Sequence, residues 1–147
     1  LQADIDLLKA KIDAGATRAI TQFVFDTDIY LRFRDALAKN NVTIPLVAGI
    51  MPTTNFAGVK RMAALCGASI PDSLAAQYAG LEDEAETRKY IAACVAVEQC
   101  RILLNEGFEQ LHFYTLNQVD LTFAVCRILQ LGEQNDQKNG QKNGVRK

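Results

Sequence analysis

The stretch Leu111 to Gln118, LHFYTLNQ, places the only histidine of the chain beside a tyrosine, a threonine and an asparagine. A histidine titrates near neutral pH, so His112 could act as a general acid or base. A strand that is only buried is expected to be an unbroken apolar run. Because His112, Thr115 and Asn117 interrupt such a run, we predict a strand that ends at a functional site.

Two other segments have the same character. Gln22 stands within the β-branched and aromatic run TRAITQFVFD, and its amide could donate and accept hydrogen bonds together. The segment AGIMPTTN, residues 48–55, follows apolar residues with a glycine, a proline and two hydroxyl groups. The three segments are the places where a ligand could be bound, provided that the fold brings them together.

The elements that position these residues are predicted from hydrophobic periodicity. In the opening stretch LQADIDLLKAKIDAG, apolar residues recur at helical spacing up to a stop at Gly15. A strand is predicted from Ala19 to Phe25, and a helix capped by Asp26 or Thr27 follows it. A second strand is expected at residues 44–48, ending in a glycine and proline turn.

The remaining elements repeat this alternation. Asn55 is expected to cap a third helix, and Pro71 to stand in the first turn of a short fourth one. The longest helix is predicted at residues 81–107, with acidic residues at its positive N-terminal end. The LHFYTLNQ strand then leads into a last amphipathic helix that stops at Gly132.

Alternating strands and helices predict an α/β fold with a parallel sheet. A doubly wound sheet normally has about five strands and a closed barrel eight in ~250 residues, so three strands complete neither. The chain also opens without methionine, inside a helical pattern. We therefore expect a fragment: the last three strands of a partial (β/α)8 TIM barrel and their helices at residues 1–132, then a disordered polar tail at 133–147.

Composition excludes several classes of protein. The formal net charge of the 147 residues is −1, which does not provide a basic groove for nucleic acid. No apolar run has the length of a membrane span. The four cysteines form no CxxC pair and are expected to be buried, reduced thiols, three of them (Cys66, Cys94 and Cys126) within apolar helical stretches. We expect a cytoplasmic protein.

The segments DAGATRAITQFVFD, GIMPTTNF and HFYTLN, in this order and spacing, resemble the methylenetetrahydrofolate reductase family from about Ala3 to Leu131. The resemblance implies a (β/α)8 barrel with FAD at its C-terminal rim, reduced by NADH or NADPH. It implies reduction of 5,10-methylenetetrahydrofolate to 5-methyltetrahydrofolate, in one-carbon and methionine metabolism. We expect a folate substrate, no nucleic-acid or membrane partner, and a homo-oligomer when the protein is complete.

The resemblance also implies roles for individual residues. Gln22 matches a strand-end glutamine that holds the folate pterin and the nicotinamide. Asp4 and Lys11 match residues of the first helix that help to hold FAD, although charged residues on such a helix are often only solvated. The proton donor of the family lies upstream of this chain, so no catalytic residue is assigned. We interpret His112 as a strand histidine whose ring is satisfied by its neighbours, because strand alternation places His112 and Tyr114 on one side and Phe113 on the other.

Four positions depart from the pattern of the family. Leu7 and Ala10 stand where relatives often have polar flavin contacts. Gly58 and Gln118 stand where some relatives have a glutamine and an arginine that contact the substrate, and Gln118 has no charge for a glutamate tail. We assign none of these four as a ligand.

A non-catalytic α/β binding module, such as a receiver-like signalling domain, is the alternative class. Such a module needs clustered acidic residues after its first strand and a lysine at the end of a strand. Asp26 and Asp28 are the available acidic residues, and no predicted strand ends in lysine.

Overall fold

The computed structural model describes residues 1–131. Gly132 and the predicted tail at 133–147 lie outside the described residues. The elements are α1 (Gln2–Asp13), β1 (Ala19–Phe23), α2 (Thr27–Lys39), β2 (Leu46–Ile50), α3 (Phe56–Cys66), α4 (Asp72–Tyr78), α5 (Ala85–Asn105), β3 (Leu111–Phe113) and α6 (Val119–Ile128). The predicted order of strands and helices is confirmed.

The three strands form one parallel sheet in the order β1-β2-β3. Strands that are consecutive in the chain are therefore neighbours in the sheet, and the order does not reverse. In the part of the chain that the structure describes, the outer edges of β1 and β3 pair with no further strand. The predicted α/β class with a parallel sheet is confirmed.

The boundaries of the strands differ from the prediction. β2 begins at Leu46 instead of residue 44, because Pro45 has no N–H for the ladder and only its carbonyl pairs, with the N–H of Ala19 at 3.0 Å. Gly49 was predicted in a turn but lies inside β2. β3 contains three residues, so most of the polar LHFYTLNQ segment follows the strand instead of forming it.

The helix ends follow the predicted capping chemistry. The carboxylate of Asp26 accepts from the N–H of Asp28 at 3.0 Å, and the amide oxygen of Asn55 accepts from the N–H of Gly58 at 2.9 Å. These bonds satisfy N–H groups that have no partner within the helix. The longest helix begins later than predicted, with Glu84 as its N-cap, so most of the acidic cluster precedes the helix.

The helices α2, α5 and α6 cover one face of the sheet. Ala48 and Ile50 of β2 point into this helix-side core, where Cys100, Leu103 and Val125 are fully buried. Burial of this apolar surface is the main stabilising term of such a layer. On the opposite face, α3 contributes to a second, smaller core that contains Phe23, Met51 and Val59.

The cysteines are free thiols, but their burial differs from the prediction. Cys66 and Cys94 are exposed and Cys126 is half-buried, whereas Cys100 is buried. The fully buried side of α5 is formed by Ala92, Ala96, Cys100 and Leu103, at helical spacing, and Cys94 lies off that side. No helix among the described residues is both long and apolar enough to span a bilayer.

Candidate functional site

The carboxyl ends of the three strands lie at one edge of the sheet, because the strands are parallel. We call this edge the rim and define it as residues 22–26, 51–55 and 114–118. In parallel α/β folds, ligands bind at this edge. All three polar segments singled out in the sequence contribute to it.

Gln22 lies near the end of β1 and is exposed. Its side-chain oxygen Oε1 accepts a hydrogen bond from the N–H of Phe23 at 3.0 Å. An amide oxygen has two lone pairs and the amide nitrogen has two N–H donors, so one internal bond leaves most of the hydrogen-bonding capacity of Gln22 available to a ligand.

The pairing of β1 with β2 is interrupted beside Gln22. Ile20 pairs with Val47 and Phe23 pairs with Gly49, so three residues of β1 span the distance that two residues of β2 span. This is a β-bulge of one extra residue. Within it, the N–H of Gly49 donates to the side-chain hydroxyl of Thr21 at 2.9 Å.

Tyr114 follows β3, at the edge of the sheet opposite to β1. Its side chain crosses β2 over Gly49 and reaches the bulge. Its hydroxyl donates to the carbonyl oxygen of Thr21 at 2.9 Å. A Cβ atom on Gly49 would lie 2.7 Å from the Tyr114 ring and 2.5 Å from that same carbonyl oxygen. Glycine is therefore required here by the close approach of a side chain and a backbone group.

Tyr30 and Gln99 hold the backbone just beyond the bulge. The Tyr30 hydroxyl accepts from the N–H of Val24 at 2.8 Å and donates to the carbonyl of Gly49, while the Gln99 amide donates to the carbonyl of Val24. Both side chains are buried. Burial raises the pKa of Tyr30 above its ordinary value, so its hydroxyl stays protonated and able to donate throughout the physiological range.

Arg88 and Tyr78 hold the loop after β2. Arg88 Nε donates to the carbonyl of Thr54 at 3.0 Å, and its guanidinium also donates to the carbonyls of Leu81 and Glu82. The Tyr78 hydroxyl donates to the carbonyl of Thr53 at 2.8 Å, and burial raises its pKa to about 12. The loop is thus fastened to both α4 and α5.

The loop after β3 has an unusual backbone. Leu116 and Asn117 both have positive φ, at 47° and 64°. For a leucine this conformation is strained, and such strain is concentrated at functional sites. The hydroxyl of Thr54 donates to the side-chain oxygen of Gln118 at 2.8 Å and joins this loop to the one after β2. Both loops line a groove of about 880 Å³.

The structure brings two of the three predicted ligand-binding residues together. Asp4 and Gln22 line one cavity of about 350 Å³, between α1, β1 and α2. Lys11 does not line this cavity; it is exposed in the last turn of α1, seven residues beyond Asp4 and on the same face of the helix. Leu7 is 57 % exposed, so the first helix presents a mixed apolar and charged surface.

The neighbours of His112 and Gly58 explain why each residue type is found at its position. The ring of His112 packs edge-on against Tyr114, with centroids 4.7 Å apart, while Phe113 points into the helix-side core. The predicted alternation of His112 and Tyr114 against Phe113 is confirmed. Gly58 lies in the first turn of α3, where a Cβ would meet the capping side chain of Asn55 at 2.8 Å.

Comparison with known proteins identifies the family of the chain. The model of the family described as methylenetetrahydrofolate reductase matches residues 1–130. The 5,10-methylenetetrahydrofolate reductase of Escherichia coli K12 is 44 % identical over 128 residues, which cover 87 % of this chain and 43 % of that protein. Methylenetetrahydrofolate reductase (NADH) 1 of Arabidopsis thaliana is 40 % identical over 131 residues, which cover 89 % of this chain and 22 % of that protein.

The chain belongs to the methylenetetrahydrofolate reductase family. It spans less than half of the length of these relatives. A solved structure from Clostridium thermocellum, described as an uncharacterized protein that binds two copies of 5-methyl-5,6,7,8-tetrahydrofolic acid, has a TM-score of 0.51. It is 18 % identical and the match covers 85 % of this chain and 46 % of that one, so the likeness concerns the fold.

The architecture and the residue types give no support to a receiver-like module. The three strands end at Phe23, Ile50 and Phe113, so none ends in lysine. A receiver-type sheet also reverses its strand order, whereas the three strands of this reductase-family chain follow one another. Among residues 1–131, no group of three His, Cys, Asp or Glu residues could hold a metal ion.

Reasoning from the sequence missed two residues that organise the rim of this family member. Arg88 lies in the acidic stretch LEDEAETRKY, which has the composition of a solvated helix face, yet its guanidinium bonds three backbone carbonyls. Tyr114 stands two residues from His112 and was considered only for the face that it occupies. A glycine inside an apolar strand run, at Gly49, was the signal that a neighbouring group approaches closely.

Proposed function

We propose that the chain is the C-terminal part of the catalytic barrel of a flavin-dependent reductase that converts 5,10-methylenetetrahydrofolate to 5-methyltetrahydrofolate with NADH or NADPH. The observation that carries this proposal is the cavity that runs along β1 between α1 and α2, which Gln22 and Asp4 line together in a chain of this family. The resemblance assigns Gln22 to the substrate and Asp4 to the cofactor, and the two residues come from different elements. The named folate ligand of the Clostridium thermocellum protein belongs to the same chemical class.

A partial (β/α)8 barrel is supported by the topology of the sheet. Consecutive parallel strands lie side by side without reversal, as they do around a barrel. In the described part of the chain, both outer strand edges are available for pairing. Further strands supplied by the remaining length of a full reductase would cover these edges, which are otherwise sites of aggregation.

The residues of α1 fit the chemistry of FAD. Asp4 offers a carboxylate that can accept from ribityl or ribose hydroxyls, and Lys11 offers a cation for a phosphate. Both are exposed on one face of α1, two turns and about 10 Å apart along the axis, a separation that an extended dinucleotide can span. FAD, when bound, supplies the hydride-carrying chemistry between the nicotinamide and the folate.

Gln22 has the hydrogen-bonding capacity that the folate role requires. Its Oε1 is oriented by the N–H of Phe23, which fixes the plane of the amide before the ligand arrives. The amide N–H groups can then donate to acceptors of the pterin, while the second lone pair of Oε1 can accept from it. We propose that Gln22 binds and orients the folate, and that the free thiols of the protein reflect a cytoplasmic location.

The experiment is Gln22→Glu in the full-length protein. Glutamate keeps an oxygen for the N–H of Phe23 and removes the donors, so local structure is retained while the folate contact is lost. Loss of such a bond costs ~1 to 3 kcal/mol, or roughly 5-fold to 150-fold in kcat/KM with the folate. FAD retention, measured by flavin absorbance after desalting, should stay unchanged.

A matched control is Gln77→Glu, since Gln77 is an exposed glutamine on α4 away from the cavity. It should leave both the folate half-reaction and the flavin content unchanged. Stopped-flow measurement of each half-reaction separates the two substrates. If Gln22→Glu reduced folate at the unaltered rate but lost FAD, the assigned role of Gln22 would be wrong.

A further inference from the structure

The bulge in β1 determines where Gln22 lies. In a regular strand, Ile20 and Gln22 would share one face and Phe23 would occupy the other. The extra residue instead brings Phe23 opposite Gly49, on the face where it packs with Met51. Bulges next to functional sites commonly re-aim a side chain in this way.

Side chains replace the interrupted ladder at the bulge. The N–H of Gly49 is satisfied by the Thr21 hydroxyl at 2.9 Å, and the Thr21 carbonyl by the Tyr114 hydroxyl at 2.9 Å. That carbonyl belongs to the peptide group that joins Thr21 to Gln22. The Tyr114 hydroxyl therefore holds the peptide group whose nitrogen is bonded to the Cα of Gln22.

The Tyr114 ring is itself fixed in place. It packs edge-on against Phe23, with centroids 6.0 Å apart and planes at 73°, and against His112 at 4.7 Å and 78°. The absence of a side chain on Gly49 provides the space for the ring to cross β2. The chain's only histidine thus has a packing role that orients a tyrosine.

We propose that Tyr114 is a positioning residue for Gln22: its hydroxyl, reaching across Gly49, holds the bulge that places Gln22 toward the folate. This inference rests on the proposed folate role of Gln22. Tyr114 touches no reacting atom in this scheme and acts through the Thr21–Gln22 peptide group. Misplacement of a substrate-binding group by a fraction of an ångström to one ångström is costly in catalysis.

The test is Tyr114→Phe in the full-length protein, which removes the hydroxyl and keeps the ring. We expect kcat/KM with the folate to fall roughly 10-fold to 100-fold, with flavin reduction by the nicotinamide affected less. Tyr90→Phe, at a tyrosine that is 69 % exposed on α5, is the matched control and should change neither rate. Thr21→Val, which removes the other hydroxyl at the bulge, should act in the same direction.

A double-mutant cycle distinguishes positioning from general destabilisation. In a Gln22→Glu background, Tyr114→Phe should have less than about 2-fold further effect on the folate half-reaction, because both changes disable the same contact. Fully multiplicative effects of the two changes would overturn the proposal. Thr21→Val in the same cycle provides an independent answer if Tyr114→Phe does not fold.

A second readout is independent of the folate role. Hydrogen exchange of the Gly49 and Phe23 amides, measured by NMR, should accelerate at least about 10-fold in Tyr114→Phe relative to Tyr90→Phe, because opening of the bulge becomes easier. If the exchange rates were unchanged, the Tyr114 hydroxyl would not stabilise the bulge and the proposal would be wrong. If exchange accelerates while Gln22→Glu leaves folate reduction unaltered, the folate role of Gln22 fails and the positioning role toward folate fails with it.

Discussion

The two ends of the sheet are held together by different kinds of hydrogen bond. At the rim and at the strand residues just before it, side chains from several elements bond backbone groups; they are Thr21, Tyr30, Tyr78, Arg88, Gln99 and Tyr114. At the opposite end, which we call the base and define as residues 42–46 and 107–111, strands are joined by backbone bonds. Examples are Ala19 N–H to Pro45 at 3.0 Å and Ala48 N–H to Gln110 at 3.2 Å.

The base also differs in its surroundings. Its cavity of about 270 Å³ has a mainly aliphatic and aromatic lining that includes Leu37, Ile44 and Phe108. Arg34 and Glu109 are the charged residues of this lining, and Arg34 donates to the carbonyl of Glu106 from a partly exposed position. The turns that lead into the base contain the left-handed residues Asn41 and Gly107, with φ of 58° and 89°, and they close with backbone hydrogen bonds and apolar packing.

The difference teaches where irregular backbone is tolerated. A bulge and a pair of left-handed residues leave backbone groups without ladder partners, and such groups must be satisfied elsewhere. Around the bulge and the loop after β2, tyrosines, a glutamine and an arginine bond such groups. At the base, the left-handed turns after α2 and α5 are satisfied by other backbone groups, as in Val42 N–H to Leu37 and Phe108 N–H to Leu103, both at 3.0 Å. Exposing polar groups at one end of a parallel sheet thus requires a supporting layer of polar side chains beneath it.

The largest expected effect comes from Gly49→Ala. The new Cβ would lie 2.5 Å from the Thr21 carbonyl oxygen, a backbone atom, and 2.7 Å from the Tyr114 ring. We expect the free energy of unfolding to fall by about 3 kcal/mol, at the upper end of overpacking costs. Urea unfolding followed by circular dichroism measures this change.

Gly107→Ala at the base is the comparison for that variant. Gly107 has a φ of 89°, but a Cβ there would meet nothing within 4 Å. Only the conformational cost remains, about 1 to 2 kcal/mol. Equal losses for the two glycines would contradict the idea that crowding is concentrated beside the rim.

An intermediate effect is expected from Arg88→Met, which keeps the length of the side chain and removes the guanidinium. Three carbonyls lose a charged donor, and a hydrogen bond to a charged group is worth about 1.5 to 3 kcal/mol. Because Arg88 is only half-buried and water can replace part of these bonds, we expect a loss of about 2 kcal/mol.

Arg34→Met provides the matched change at the base. Arg34 forms exposed ion pairs with Asp35 at 3.0 Å and Glu106 at 3.7 Å. Exposed pairs contribute less than about 1 kcal/mol, and their contribution is screened by salt. A loss for Arg34→Met that equals or exceeds the loss for Arg88→Met would remove the distinction between the two ends.

The sequence was sufficient to predict the α/β class, the order of the elements and the caps at Asp26 and Asn55, because these depend on local periodicity and local hydrogen bonding. It was not sufficient to place Gly49 inside a strand. A glycine in an apolar run signals that some group approaches closely, but the group here is a tyrosine 65 positions later, which the local sequence does not identify.

The candidate site was predictable to a similar degree. Gln22 and Asp4 came from the family resemblance, and the structure places them in one cavity. The positive φ of Leu116 has no sequence signal, because leucine does not favour that conformation. Burial of Cys94 was misjudged because α5 is apolar around much of its circumference, so local hydrophobicity did not reveal which side faces the core.

The smallest expected change in the free energy of unfolding comes from alkaline pH. It tests the helix-side core, which lies between the rim and the base. Burial, with a smaller contribution from Cys126, raises the pKa of the Cys100 thiol from 9.0 to about 12. The folded state therefore keeps this proton while the unfolded state releases it, so stability is complete below pH 9 and is lost as the pH rises from 9 toward 12. At pH 10 the loss is about 1.4 kcal/mol.

Tyr78, whose hydroxyl bonds the rim residue Thr53, enters this titration later, because its pKa rises from 10.0 to about 12. The interval from pH 9 to 10 therefore reports mainly on the thiols of the helix-side core, including Cys126, whose pKa is also raised by burial. Cys100→Ala should remove about 1.4 kcal/mol of the difference in unfolding free energy between pH 8 and pH 10, measured under reducing conditions. Cys94→Ala, at an exposed thiol, should leave that difference unchanged. If Cys100→Ala also left it unchanged, the buried Cys100 thiol would not be the source of the alkaline sensitivity.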